Sequence, residues 1–134
     1  MSDANAVLFA NDAFYMAFAT GDMAAMRAVW ADDPGITCVH PGWQPLIGQD
    51  DVMASWEAIL SSGETMDVRC DDAHAHMVGD VAYVTAFERL PGAVLTATNL
   101  FVRKGSLWRM IHHQAGPCQD APPPTPAAGD PTLQ

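Results

Sequence analysis

The stretch 106-SLWRMIHHQAG-116 follows a Lys104-Gly105 turn and carries a tryptophan, two adjacent histidines and a glutamine on what reads as one strand. Side chains alternate along a strand. Trp108, Met110, His112 and Gln114 are therefore expected on one face, and Arg109, Ile111, His113 and Ala115 on the other. Neither set is purely apolar or purely polar. The pattern fits a central strand covered on both faces, by helices over a pocket on one side and by another sheet on the other.

Three turns lead back from this strand through a run of period-two segments. Lys104-Gly105, Pro91-Gly92 and Gly79-Asp80 separate Val94–Arg103, Val81–Leu90 and a first segment beginning at Glu64. In that first segment Met66, Val68 and Cys70 are apolar at even positions, whereas Ala73, Ala75 and Met77 are apolar at odd ones. A strand changes faces only by taking in an extra residue, so a bulge or bend is expected near Asp71-Asp72.

Ahead of these strands the period is helical. A helix over 3–19 takes its cap from Ser2 or Asp3, presents Val7, Phe14 and Phe18 at helical spacing, and closes at Gly21. Asp22 caps a second helix bearing Met23, Met26 and Trp30, which Asp32-Asp33-Pro34-Gly35 stops. Ile36 to His40 is a short β-branched strand ended by Pro41-Gly42. A third helix starts at Asp50 or Asp51, carries Val52, Trp56, Ile59 and Leu60, and ends at Ser61-Ser62-Gly63.

Helices followed by strands argue an α+β fold, with three helices on one face of a curved antiparallel sheet. Residues 1–118 make one domain. The remainder, QDAPPPTPAAGDPTLQ (119–134), holds five prolines and little to bury, and reads as a disordered tail. The other sheet face would carry Tyr83, Phe87, Leu100 and Trp108, which calls for a homodimer through that face.

At 134 residues and 49% apolar the chain can bury one core. Its net charge of −10 and the lack of any basic cluster beyond Arg103-Lys104 argue against nucleic acid and against an anionic membrane surface. No run of apolar residues is long enough to span a bilayer. The first residues, MSDANAVLFAND, lack the basic start of a signal peptide, and Cys38, Cys70 and Cys118 have no metal-type spacing. A cytoplasmic protein with reduced thiols is expected.

Five segments carry a family resemblance: ATGDMAAMRAVWADD (19–33), VHPGW (39–43), GQDDVMASW (48–56), ATNLFVRKG (97–105) and WRMIHHQAG (108–116). Over roughly residues 5 to 116 the chain resembles the nuclear transport factor 2-like, or SnoaL-like, superfamily. It is nearest to that group's domains of unassigned function and to the association domain of calmodulin-dependent kinases. The resemblance implies a cystatin-like cone with its pocket inside. His40 then falls where ketosteroid isomerases of the superfamily place a proton-moving aspartate, and Phe14 where they hold an oxyanion-binding tyrosine. A phenyl ring cannot donate, and Tyr15 sits about 100° round the helix. The isomerase constellation is not present as such, nor is the Asp-Arg-Asp set of the epoxide hydrolases. Arginines that line the kinase association domains match Glu88, Asn99 and Ala115 here.

The cone would bring Glu88, Asn99 and His113 inward, with His40 arriving from the short strand. Phe14, Phe18, Trp43 and Trp56 would form apolar walls, with Tyr15 and Val52 beside them. An apolar hollow with a few convergent polar groups is the general form of a small-molecule site. A glutamate against aromatic rings has a raised pKa and can carry a proton near neutrality, and histidine needs little tuning to do the same. His40 and Glu88 are thus the acid/base candidates, with Asn99 and His113 orienting a carbonyl or hydroxyl. The plainer alternatives are that Glu88 pairs with Arg89, Arg103 or Arg109, that His40 holds a loop, and that His112 pairs across the dimer. His74 and His76 share a strand face, but two ligands are too few for a metal, and no cofactor is expected. Two functions stay open: a small-molecule domain, catalytic through isomerisation, dehydration or cyclisation, or a homodimeric assembly module with a vestigial cavity.

Overall fold

The computed structural model describes residues 2–63 and 67–126. Glu64 and Met66, read above as the start of a strand, lie outside these residues, as do positions 127–134 of the proline-rich segment.

Helix α1 (Asp3–Thr20) begins where Ser2 Oγ accepts from the Asn5 N–H at 3.1 Å. It closes on Gly21, whose φ of 67° only glycine adopts without strain. Asp22 then caps α2 (Met23–Val29) by accepting from the Ala25 N–H at 3.0 Å. The third helix, α3 (Gln49–Leu60), starts after Gly48 without a side-chain cap. Asp50 and Asp51 in its first turn complement the helix dipole instead.

Six strands form one curved, unclosed sheet: β1 (Thr37–Val39), β2 (Leu46–Ile47), β3 (Arg69–Val78), β4 (Val81–Leu90), β5 (Ala93–Lys104) and β6 (Leu107–Pro117). Their order is β2-β1-β6-β5-β4-β3, so β6 is central, flanked by parallel β1 and antiparallel β5. The short β2 has no counterpart in the sequence reading, because two residues are too few to show a period. The three helices pack on one face, with α1 against β3, β4 and β6. The fold is α+β as expected.

Two bulges set which side chains face inward. The first lies where the apolar alternation changes phase: β3 shifts register between Asp71 and His74, with Asp72 at φ 55°. The second corrects the strict alternation expected along β6. Leu100 pairs with His112 but Phe101 with Met110, so Ile111 is the extra residue. Trp108 and Met110 therefore share the buried side with His113 and Ala115 rather than with His112 and Gln114. Trp108 lies in the core under the Arg103 guanidinium, 4.8 Å from its ring, and not on the outer face. Tyr83, Phe87 and Leu100 do alternate with the inward Ala82, Val84, Ala86 and Glu88 or their β5 equivalents, and all three are half-buried.

Beyond β6, Cys118 donates its N–H to Val94 O at 2.9 Å, and the described part of the proline-rich segment runs on without helix or strand. Arg89 and Arg69 reach out to it, donating to Pro122 O at 2.7 Å and Thr125 O at 2.6 Å.

Candidate functional site

Inside the curve of the sheet, polar side chains from four elements meet. Glu88 comes from β4, Asn99 from β5, His113 from β6, and Tyr15 with Asn11 from α1. Register sets Asn99 opposite His113, whereas Glu88 lies four residues beyond Asn99's partner Val84 on the same face and is joined to Asn99 through Tyr15. On α1 the inward residues are Asn11, Phe14, Tyr15 and Phe18, spaced i, i+3, i+4 and i+7. A helix stripe of that width holds two side chains 100° apart. Tyr15 is thus as inward as Phe14.

The hydrogen bonds run in one direction. Tyr15 Oη donates to Glu88 Oε2 at 2.7 Å, so it accepts from Asn99 Nδ2 at 3.2 Å. The same Nδ2 donates to Asn11 Oδ1 at 2.9 Å, and Asn11 Nδ2 reaches Cys70 Sγ at 3.6 Å. With its amino group so used, Asn99 presents Oδ1 to His113 Nδ1 at 2.6 Å, which makes Nδ1 the protonated nitrogen. His113 Nε2 is left with its lone pair, 3.8 Å from Glu88 Oε2.

Burial decides the protonation of these groups. Glu88 is 3% exposed, and lost hydration pushes its carboxyl up to about 6 against the opposing pull of the Tyr15 hydroxyl. None of the arginines named as its alternative partners reaches it. Arg89 binds Asp71, Arg103 binds Asp3, and Arg109 donates to Ala28 O. His113 is pushed down to about 3 by burial first, then by His40 and His112, so it is neutral. Burial first, and Glu88 second, hold the Tyr15 hydroxyl well above its usual range.

His40 occupies an adjoining station. Its ring lies 6.4 Å from that of His113 and 4.9 Å from Trp56, and Trp43 covers its other side at 4.9 Å. Ser55 Oγ donates to Val52 O at 2.7 Å, so it accepts from His40 Nε2 at 2.9 Å. Nδ1 is then the lone-pair nitrogen of a neutral imidazole, whose pKa burial pushes down to about 4. Trp43 is 49% exposed and stands between His40 and solvent. Phe14, Phe18 and Trp56 wall the site in edge-to-face contact, with ring centroids 5.0 to 6.2 Å apart. Val52 is fully buried one turn before Trp56, in the same core cluster, and its carbonyl accepts from Ser55.

Among the described residues, the Trp56 indole N–H is buried without a partner at full hydrogen-bond geometry, and it lies close enough to the Cys38 thiol to pull that group's pKa down against the larger effect of burial. Cys38 lies beside His40 at 3.6 Å, and burial pushes its thiol up to about 12. Asn11, Ser55, Cys38 and Cys70 were not among the residues expected here. Only Asn11 carried a signal, as a lone amide in the apolar stripe of α1.

The remaining histidines face outward. His112 bonds Thr37 Oγ1 at 2.6 Å and Gln114 at 3.3 Å within the chain, where a partner across a dimer was expected. His74 bonds Asp72, and His76 stacks on Tyr83 at 4.6 Å and bonds Thr85. Among the described residues no helix is long and apolar enough to cross a membrane.

Residues 7–118 match the SnoaL-like domain family. A solved structure from Streptomyces avermitilis, provisionally named a dehydratase of the nuclear transport factor 2-like family, is 33% identical over 88% of this chain and 97% of its own, with a TM-score of 0.80. Another, from Thiobacillus denitrificans, is provisionally named a calcium/calmodulin-dependent protein kinase type II association domain. It is 33% identical over 82% of this chain and 93% of its own, with a TM-score of 0.72. The calmodulin-dependent kinase II hub of S. rosetta, at 23% identity and a TM-score of 0.72, shares the fold over 88% of this chain and 98% of its own. F-box protein SKIP8 of Arabidopsis thaliana is 23% identical over 82% of this chain, which spans 48% of that protein's length.

Proposed function

This chain belongs to the SnoaL-like domain family, and on that footing we propose that it binds an uncharged or weakly polar small organic molecule and moves a proton on it. The observation that carries this reading is a buried carboxyl, Glu88, that has an ordered hydrogen-bond network but no cation. A carboxyl with a pKa of about 6 is both a competent base and a competent acid near neutral pH. Tyr15 and Asn99 fix which oxygen is used, and Glu88 acts as the proton carrier. His40 is the second acid/base group, through the Nδ1 lone pair that its bond to Ser55 leaves free. All four arginines named in the strands are engaged away from the cluster, so it favours a substrate without negative charge. Proton transfer of this kind serves isomerisation, dehydration or cyclisation.

A panel of uncharged aromatic ketones and enones tests the reading. Binding is followed by quenching of tryptophan fluorescence, and proton transfer by deuterium uptake next to the carbonyl in heavy water. Uptake that falls at least about a hundredfold in Glu88→Gln, and less in His40→Gln, is the expected outcome. Uptake indifferent to Glu88→Gln, or no binding by any member, contradicts it.

The second reading is an assembly module. Its support is that the inner polar groups satisfy one another, together with the likeness to kinase association domains. We place the homodimer contact on the outer sheet face around Leu100, Thr98 and Phe87. Sedimentation of the wild type as a dimer, and of Leu100→Glu as a monomer, would support that placement. If proton transfer is absent while the dimer persists, the assembly reading replaces the first.

A further inference from the structure

The face of β3–β4 turned away from Glu88 carries a second constellation. Arg69 and Arg89 are register partners on adjacent strands, and Asp71 holds both, with Arg89 Nε at 2.7 Å and Arg69 Nη2 at 3.8 Å. Arg89 turns a second donor, Nη2, to Pro122 O in the proline-rich segment, and Arg69 donates to Thr125 O through the same Nη2 that faces Asp71. Those two carbonyls are three residues apart, and polyproline II turns once every three residues. In that conformation both carbonyls would lie on one side of the chain, where Arg89 and Arg69 meet them. Within PPPTP (122–126) Thr125 alone has a backbone N–H, since proline lacks one. That N–H donates to Asp71 Oδ2 at 3.2 Å. The Cys118 N–H bond to Val94, itself the register partner of Arg89, delivers the chain to this spot four residues before Pro122.

We propose that Arg69, Asp71 and Arg89 form a docking site for a polyproline segment, filled by this chain's own residues 121–126. Two carbonyls and one N–H are read at fixed spacing. The site thus selects a proline helix interrupted by a single non-proline residue.

Amide hydrogen exchange on the full chain tests the docking directly. The Thr125 N–H is expected to exchange at least about tenfold more slowly than the same residue in the free octapeptide QDAPPPTP. Replacing both Arg69 and Arg89 by Lys keeps the charges on Asp71 but removes the forked donors, and should abolish that protection. A full-length variant with Pro122, Pro123 and Pro124 all replaced by Gly empties the site. Labelled QDAPPPTP should then bind it at least about tenfold more tightly than it binds the wild type, whose own segment competes at high effective concentration. Thr125 exchanging at the free-peptide rate in the wild type overturns the proposal. So does equal peptide binding, or none, by the two chains. Protection that disappears on dilution places the segment on a second copy and overturns the assignment to its own chain.

Discussion

Glu88 and Asp71 are carboxylates one row apart on paired strands, where Cys70 stands opposite Glu88 and Asp71 opposite Phe87. They are 3% and 4% exposed. Glu88, however, lies deep among core side chains, whereas Asp71 is covered on the outer face by Arg69, Arg89 and Thr125, so burial withdraws more water from Glu88. Burial drives Glu88 up to about 6, while at Asp71 the bonds from Arg89 and Thr125 outweigh burial and hold the carboxyl below its ordinary range. Hiddenness alone does not set a carboxylate's chemistry; the charge of its neighbour does. The inner face gives Glu88 a hydroxyl donor from Tyr15 and makes a titratable group. The outer face supplies guanidinium and makes a fixed anion that serves as an anchor.

The largest expected effect comes from breaking the outer pair. Arg89→Met leaves Asp71 covered without its principal cation, and should lower stability by about 3 kcal/mol. A shift in urea midpoint at constant slope measures this. A loss below about 1 kcal/mol would mean that Arg69 suffices.

Next is the pH response of the inner carboxylate. Between about 4.5 and 6 the folded protein holds a proton on Glu88 that the unfolded chain releases, so this group's contribution to stability falls as pH rises through that window. The total is roughly 2 kcal/mol, and Glu88→Gln should recover it at pH 7 while still accepting from Tyr15. The sign at His40 and His113 is opposite. The unfolded chain takes up protons below about 6.5 that the folded one refuses, so their contribution is lost as pH falls toward 4 and 3. Subtracting the Glu88→Gln stability curve from that of the wild type isolates the first effect from the second. Identical curves would contradict it.

The smallest effect sharpens the same contrast. Tyr15→Phe removes the one hydroxyl bond that holds Glu88 down, so its pKa should rise beyond about 6. Stability should fall by about 1 kcal/mol. Carboxyl chemical shifts read the first and urea titration the second.

Much of this architecture is written in periodicity. The phase change between Cys70 and Ala73 marks the first bulge because apolar residues fall on different parities either side of it. The second bulge left no such mark. Trp108, Met110, His113 and Ala115 mix sizes and polarities, so a shift of one residue at Ile111 alters no visible pattern. Glu88, Asn99 and His113 were legible as an inner set because strand alternation puts each on one face of its strand and the family resemblance says which face is inward. Tyr15 was discounted by comparison with a single expected helix position, whereas the sheet curls round a stripe wide enough for Phe14 and Tyr15 together. Asn11, Ser55 and the bonds that set each histidine tautomer depend on contacts between distant elements. No local spacing encodes those.

The proton-carrier role of Glu88 is tested most directly by a carbon-13 carboxyl titration of the full-length chain, following Glu88 and Asp71 in one sample. Glu88 should titrate near 6 while Asp71 titrates below the ordinary aspartate range. A Glu88 that titrates at or below 4.5 would contradict the account.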